Sequence, residues 1–238
     1  MSKHNGNGYR REGAENTLGM MDHRTGPLIK GGYTTRQAAS SRRCHHMDYR
    51  MEHALPPLAV PETPDRILRF WRAAGYEYWF AKDDNFDRVF RDHFLGAHLA
   101  AARRELDHWM DTADGCLALL ILLDQFPRNA LRGCGHMYAT DPLARFVARH
   151  TLEHGFDKAH DHDMRSFCYL PFEHSENMAD QDLSVALFTA LGEPFLPYAI
   201  EHRKIIEAFG RFPHRNEQLG RITTPEEQAF LDNGGFSG

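Results

Sequence analysis

Asp114-Gly115-Cys116-Leu117-Ala118-Leu119-Leu120-Ile121-Leu122-Leu123-Asp124-Gln125-Phe126-Pro127 is the stretch that decides the fold class. From Leu117 to Phe126 it is apolar nearly all round, so it reads as a central helix buried on every side, with Asp114 ahead of it. Its unbroken apolar run, Cys116 to Leu123, is the longest in the chain and far too short to cross a bilayer. Pro127 is expected to end or kink the helix, because it has no N–H to donate and its ring crowds the preceding turn.

A buried helix needs others around it, and the flanking sequence supplies them. Thr63-Pro64-Asp65 combines an N-cap, a proline at the first helical position and an acid in the first turn, so a helix starts there and carries Ile67, Phe70 and Trp71. A second starts near Asp84, with an apolar stripe through Phe86, Val89, Phe90, His93, Phe94 and Ala97. Asp141-Pro142 repeats the cap-then-proline start, and Gly155 stops a helix of about 13 residues. Further helices are expected at 163–170, 178–191 (stopped by Gly192), 194–209 (stopped by Gly210) and 224–231. No segment alternates with the two-residue period of a strand. The class is all-α, with about eight helices by these start and stop signals.

Residues 1 to 60 show no apolar period and are rich in Gly, Arg, Ser, Asn and His. They read as a disordered N-terminal tail, with Met47 or Met51 as an alternative start, and residues 61 to 238 as a single helical domain. Net charge is −5, yet residues 1–50 hold nine Lys/Arg against four Asp/Glu, which leaves the remainder with 19 basic and 29 acidic residues. An acidic domain argues against nucleic acid as the main partner. With no signal-peptide pattern and no membrane span, the expected location is cytoplasmic. Cys44, Cys116, Cys134 and Cys168 are widely spaced and read as reduced thiols.

The phrase Phe-Pro followed by Arg-Asn occurs twice, as Gln125-Phe126-Pro127-Arg128-Asn129 and, with one residue inserted, as Arg211-Phe212-Pro213-His214-Arg215-Asn216. Between them lies Tyr169-Leu170-Pro171-Phe172-Glu173-His174-Ser175-Glu176. These three segments, in this order, resemble the bacterial family DUF924, a domain of unknown function; Trp79-Phe80, Phe86-Asp87 and Asp107-His108-Trp109 fit as well, so the resemblance covers Pro64 to Leu231. It implies antiparallel helical hairpins in a tetratricopeptide-like right-handed array. The sequence itself shows no repeat of about 34 residues. The resemblance implies no established activity.

Arg128 and Arg215 have the planar donors that match a carboxylate or phosphate. The same Arg-Asn pairs after a helix can instead cap carbonyls and bridge to Asp124, Glu173 or Glu176. His174, flanked by Glu173 and Glu176, has the residue types for acid–base work, one carboxylate orienting the imidazole. Ser175 lacks the glycines of a nucleophile elbow and reads as a turn residue. Cys134, in Arg132-Gly133-Cys134-Gly135, reads as a loop thiol. Neither Cys44-His45-His46, nor His160-Asp161-His162-Asp163, nor Glu173, Glu176 and His202 makes a closed metal set, so no metal and no cofactor is expected. The aromatics Phe70 to Phe94 read as packing, and Trp79-Phe80 as a connection where a partner or a homodimer contact would sit.

The leading expectation is a pocket that binds a small polar or anionic ligand, or a peptide carboxylate, through Arg128, Asn129, His202, Arg211, His214, Arg215 and Asn216 with Asp124 and the acids. The alternatives are a hydrolase or transferase using His174 in the same pocket, and a scaffold for protein–protein interaction.

Overall fold

The computed structural model describes residues 62–237, and the expected tail of residues 1 to 60 lies outside them. Helix α1, Pro64–Ala74, starts as its sequence directs: the Thr63 hydroxyl accepts from the Arg66 N–H, and Gly75 at φ 73° ends the helix. It buries Ile67, Leu68 and Trp71. The expected connection at Trp79 contains a single helical turn, α2 (Tyr76–Trp79), whose Trp79 ring is buried and donates its N–H to the Trp71 carbonyl at 2.7 Å. Phe80 beside it is exposed. Helix α3, Asp84–Ala102, is capped by Asp83. Its inward face carries Phe90, Phe94, Ala97 and His98, whereas His93, expected in the stripe, faces solvent.

Helix α4, Ala113–Leu120, continues through a π-turn at Ile121–Gln125 into α5, Phe126–Ala130. Pro127 therefore neither ends nor interrupts the helical path. The reason is visible in its carbonyls. The π-turn shifts the bond of Phe126 N–H to the Ile121 carbonyl. Proline then leaves the Leu122 and Leu123 carbonyls without a helical donor. His98 Nδ1 takes the first at 2.9 Å, and the Thr140 hydroxyl takes the second at 2.6 Å. Two side chains from other elements thus replace what the π-turn and the proline together remove.

The remaining helices are α6 (Asp141–Glu153), α7 (His162–Glu173), α8 (Met178–Leu191), α9 (Leu196–Phe209) and α10 (Pro225–Asp232). Helix α7 runs three residues past the expected break, with Pro171 in its last turn, and ends where the His174 N–H bonds to the Leu170 carbonyl at 2.9 Å. Ser175 is a turn residue, its hydroxyl donating to Asp180 and accepting from the Asn177 N–H. All regular structure among the described residues is helical.

Helices α6 to α9 pack in chain order, α6 on α7, α7 on α8 and α8 on α9. Connections of a few residues fold such neighbours back antiparallel. Helix α4 departs from nearest-neighbour stacking because it touches α1, α6 and α7 at once. That hub position explains its composition: Cys116 to Leu123 are all 2% exposed or less. A smaller cluster of Ile205, Ile206 and Phe212, with Phe230 and Phe236 against it, closes the C-terminal end.

Candidate functional site

The three segments meet around a cavity of about 400 Å³. Its polar end is built by the last turn of α5, the C-terminus of α7, the middle of α9 and the short 3₁₀ turn Pro213–Arg215. Arg128 projects from α5 and binds Asp141 with both Nη atoms, at 3.0 and 3.1 Å, while Nη1 also donates to the Asp124 carbonyl at 2.8 Å. Asp141 was legible in the sequence only as a helix start. It is the first residue of α6 rather than its cap, and its carboxylate holds both arginines, with Arg215 Nη1 at 3.4 Å. Burial works against the Arg128 charge, but Asp124 and Asp141 outweigh it and raise its pKa.

Arg215 is buried in a different way. Its guanidinium lies between the rings of Tyr138 and Phe212, 4.6 and 4.4 Å from their centroids. Burial, then the like charge of Arg128, brings its pKa down to about 10. Its Nε has no hydrogen-bond partner.

Behind the wall, Asp124 accepts from His174 Nδ1 at 2.8 Å and from the Gln125 amide at 2.6 Å, with Arg128 Nη1 3.1 Å away. Burial pushes this carboxyl up, but the charge of Arg128 and the bonds from His174 and Gln125 hold it at about 2. Asp124 is therefore ionised, and His174 carries its proton on Nδ1. The imidazole was expected to be oriented by Glu173 or Glu176, and neither does so. Helix α7 ends at Glu173, so His174 turns back toward α4, where the π-turn residue Asp124 meets it. Burial, then the Arg128 charge, outweighs Asp124 and lowers the His174 pKa, which leaves a neutral ring with Nε2 on its cavity side.

Glu173 is 4% exposed. Its Oε1 lies 3.5 Å from His202 Nδ1, and its Oε2 has no partner. Burial, then the negative charge of Asp124, raises its pKa to about 8, so the group is mostly a neutral acid at pH 7. His202 Nδ1 donates to the Tyr198 carbonyl at 2.9 Å. Burial, then neighbouring His174, takes His202 down to about 3; burial, then Arg215, does the same for His214, whose Nδ1 is also without a partner.

The other end of the cavity is apolar. Tyr76, Phe80, Phe188, Phe195 and Tyr198 line it; Leu170 and Met137 also line the cavity, and Phe236 packs on both His202 and His214. Tyr76, Phe80 and Tyr198 are each about half exposed and form its rim. Sequence reasoning missed this wall. Phe80 was assigned to packing or to a partner contact, Tyr76 was not singled out, and the aromatics near α8 and α9 lie on faces whose direction no periodicity reveals.

Among the expected site residues, Arg128, Asn129, Glu173, His174, His202, His214 and Arg215 line the cavity. Asp124 stands directly behind His174. Three others are placed elsewhere. Arg211 makes a two-point ion pair with Glu227 and donates to the Ile222 carbonyl. Asn216 bonds to the same Glu227 and to Thr223. Glu176 pairs with Arg221 through both oxygens at 2.8 Å and accepts from the Phe212 N–H. These three clasp α10 and the Phe212-Pro213 corner onto the domain, because a helix only eight residues long buries too little to hold itself. Among the described residues no group of His, Cys, Asp or Glu side chains is arranged to hold a metal ion. Cys116 and Cys168 are buried free thiols and Cys134 is an exposed one.

A protein of unknown function from Agrobacterium tumefaciens, ATU0120, has a solved structure similar to this one, with 54% identity and a TM-score of 0.71 over 72% of this chain and 97% of that one. No curated protein matches. The family model described as bacterial protein of unknown function, DUF924, matches residues 67–235, well over half of the sequence, and so the chain belongs to the DUF924 family.

Proposed function

We propose that the protein binds a small molecule with an anionic head and an apolar body, head inward, in the cavity between α5, α7, α9 and the Pro213–Arg215 turn. One observation carries the reading. Glu173, His214 and Arg215 line a single cavity, and each carries a buried polar atom, Oε2, Nδ1 and Nε respectively, without a hydrogen-bond partner. Each unmet buried polar group costs about 1–3 kcal/mol, so three in one place favour an occupant that satisfies them. The size fits, since small-molecule sites span roughly 300–1,000 Å³ and are mostly apolar with a few placed polar groups. Arg215 carries an N–H without an acceptor, which favours an accepting head such as a carboxylate over a donating one.

The test is thermal denaturation of the full chain against a panel of small acids, amines and neutral aromatics. Acids with an apolar body are expected to raise Tm, since occupancy at a hundredfold excess over Kd stabilises by about 2.7 kcal/mol. The shift should shrink in Arg215→Lys, which keeps the charge but loses the Nε–H edge. Stabilisation by amines instead of acids would sink the reading.

A second reading, acid–base chemistry in the same cavity, is favoured by one feature. His174 has Nδ1 bound to an ionised carboxylate and Nε2 turned to the cavity, the orientation of a general base, beside the neutral acid Glu173.

A further inference from the structure

The polar end of the cavity is electrically balanced before anything enters it. Arg128 and Arg215 are matched by Asp124 and Asp141. The titratable groups facing His174 from the elements around it are Asp124 and Arg128 on the α4–α5 helix, Asp141 on α6 and His202 on α9, with Glu173, mostly a neutral acid at pH 7, beside it at the end of α7. From the 213–215 turn and the turn before α6 come His214, Arg215 and Tyr138. None of them is a free cation. A bare anion moving into this low-dielectric wall would therefore meet no net positive charge, and burying it uncompensated is strongly unfavourable.

Resting on the binding reading above, we infer that the ligand is a small monocarboxylic acid with an aromatic or branched apolar body, whose carboxylate enters together with one proton and pairs with His174 Nε2 and Arg215 Nε. The proton comes from solvent and adds to His174 Nε2. It makes an imidazolium held between Asp124 on one side and the ligand carboxylate on the other, and no covalent bond changes. His174 is suited to this because its Nδ1–H already lies on an ionised carboxylate at 2.8 Å, so a second proton gives a cation with an anion at each end. A phosphate fits poorly. A dianion needs a second compensating charge and more donors than one Nε–H, one imidazolium and the Glu173 acid provide, and the aromatic rim gives it nothing to contact.

The experiment is isothermal titration of the full chain at pH 7 with phenylacetate, in buffers of different ionisation enthalpy, with inorganic phosphate and phenethylamine as comparison probes. Phenylacetate is expected to bind with net uptake of about one proton, seen as a linear dependence of the heat on buffer enthalpy, and more weakly as pH rises above 7. His174→Asn, which keeps a donor for Asp124 but cannot take up a proton, should lose that dependence and bind at least about tenfold more weakly. Binding of phenylacetate without proton uptake overturns the inference while leaving the binding reading in place, as does tighter binding of phosphate. Binding of phenethylamine alone, or of no probe, overturns both. The wild-type buffer dependence decides the matter even if His174→Asn is too unstable to purify.

Discussion

His174 Nδ1 lies 2.8 Å from Asp124 Oδ1, fifty residues earlier in the chain, and this contact joins the end of α7 to the π-turn between α4 and α5. It is one arm of a buried network in which Asp124 also faces Arg128, and Arg128 faces Asp141. Removing one partner leaves buried charge uncompensated, so Asp124→Ala should destabilise the domain by about 3–5 kcal/mol, read from urea denaturation. A loss below about 1 kcal/mol, the scale of an exposed pair, would mean the network contributes no more than surface charges do.

The pH dependence of stability has two limbs with opposite signs. His202 and His214 are neutral in the fold down to about pH 3, whereas in the unfolded chain they take protons near 6.5. Below 6.5 the unfolded state binds more protons, and stability falls with acid. Glu173 is the reverse. It keeps its proton in the fold up to about pH 8 but loses it near 4.5 when unfolded, so its contribution is full below 4.5 and is lost as pH rises to 8. Between 4.5 and 6.5 the two histidines outweigh the one acid, and above 6.5 the acid acts alone. Stability should therefore peak near pH 6.5–7, as measured by Tm or urea midpoint across pH 5–9.

Glu173→Gln isolates the alkaline limb. The amide is close in shape to the protonated acid and does not ionise, so the decline of roughly 1.4 kcal/mol per pH unit between 6.5 and 8 should vanish in the variant while the acid limb persists. An unchanged alkaline slope would assign that limb to another group.

Glu176 and Arg221 should be energetically coupled, since their two-point pairing is what holds the Phe212 corner. A double-mutant cycle of Glu176→Ala with Arg221→Ala should give an interaction energy of about 0.5–3 kcal/mol. The cycle of Glu176→Ala with Arg215→Ala should give less, because no hydrogen bond joins those side chains. The reverse order would contradict the pairing.

Gly115 sits in the first turn of α4, where an added Cβ would lie 1.9 Å from the Trp109 carbonyl oxygen, which is backbone and cannot swing away. Gly115→Ala should cost at least about 2 kcal/mol, beyond the usual gain of alanine over glycine in a helix. Equal or raised Tm would show that the 107–111 turn can shift.

Much of the helical layout is local and was legible. Thr63, Asp83, Asn177 and Thr224 cap helices by bonds within three residues, and Gly155 and Gly210 end helices by taking the left-handed conformation that other residues avoid. Neither Pro127 nor Pro171 ends its helix where the sequence alone suggests, for a physical reason. Proline breaks a helix in isolation because its carbonyl partners go unmet; at Pro127 those partners are His98 and Thr140, which lie 29 residues before and 13 after it in the chain. The candidate site was legible by residue type and not by pairing. Arg128, His174 and Arg215 stood out as chemistry, yet Asp141 did not, since an acid in a first helical turn already has a local explanation.

By itself the sequence determined that the described residues are helical, where most helices begin and end, and that Cys116 to Leu123 is their buried centre, and it singled out three segments from which the fold brings polar side chains to one cavity. Caps, stop glycines and apolar period act over a few residues and need no tertiary partner. Only the tertiary structure decided which of two equivalent arginine partners each acid takes. Glu176 goes to Arg221, Glu227 to Arg211 and Asp141 to both Arg128 and Arg215. Charges of one kind are interchangeable along a chain, and what separates them is distance and burial after α5, α7, α9 and the Pro213–Arg215 turn have come together.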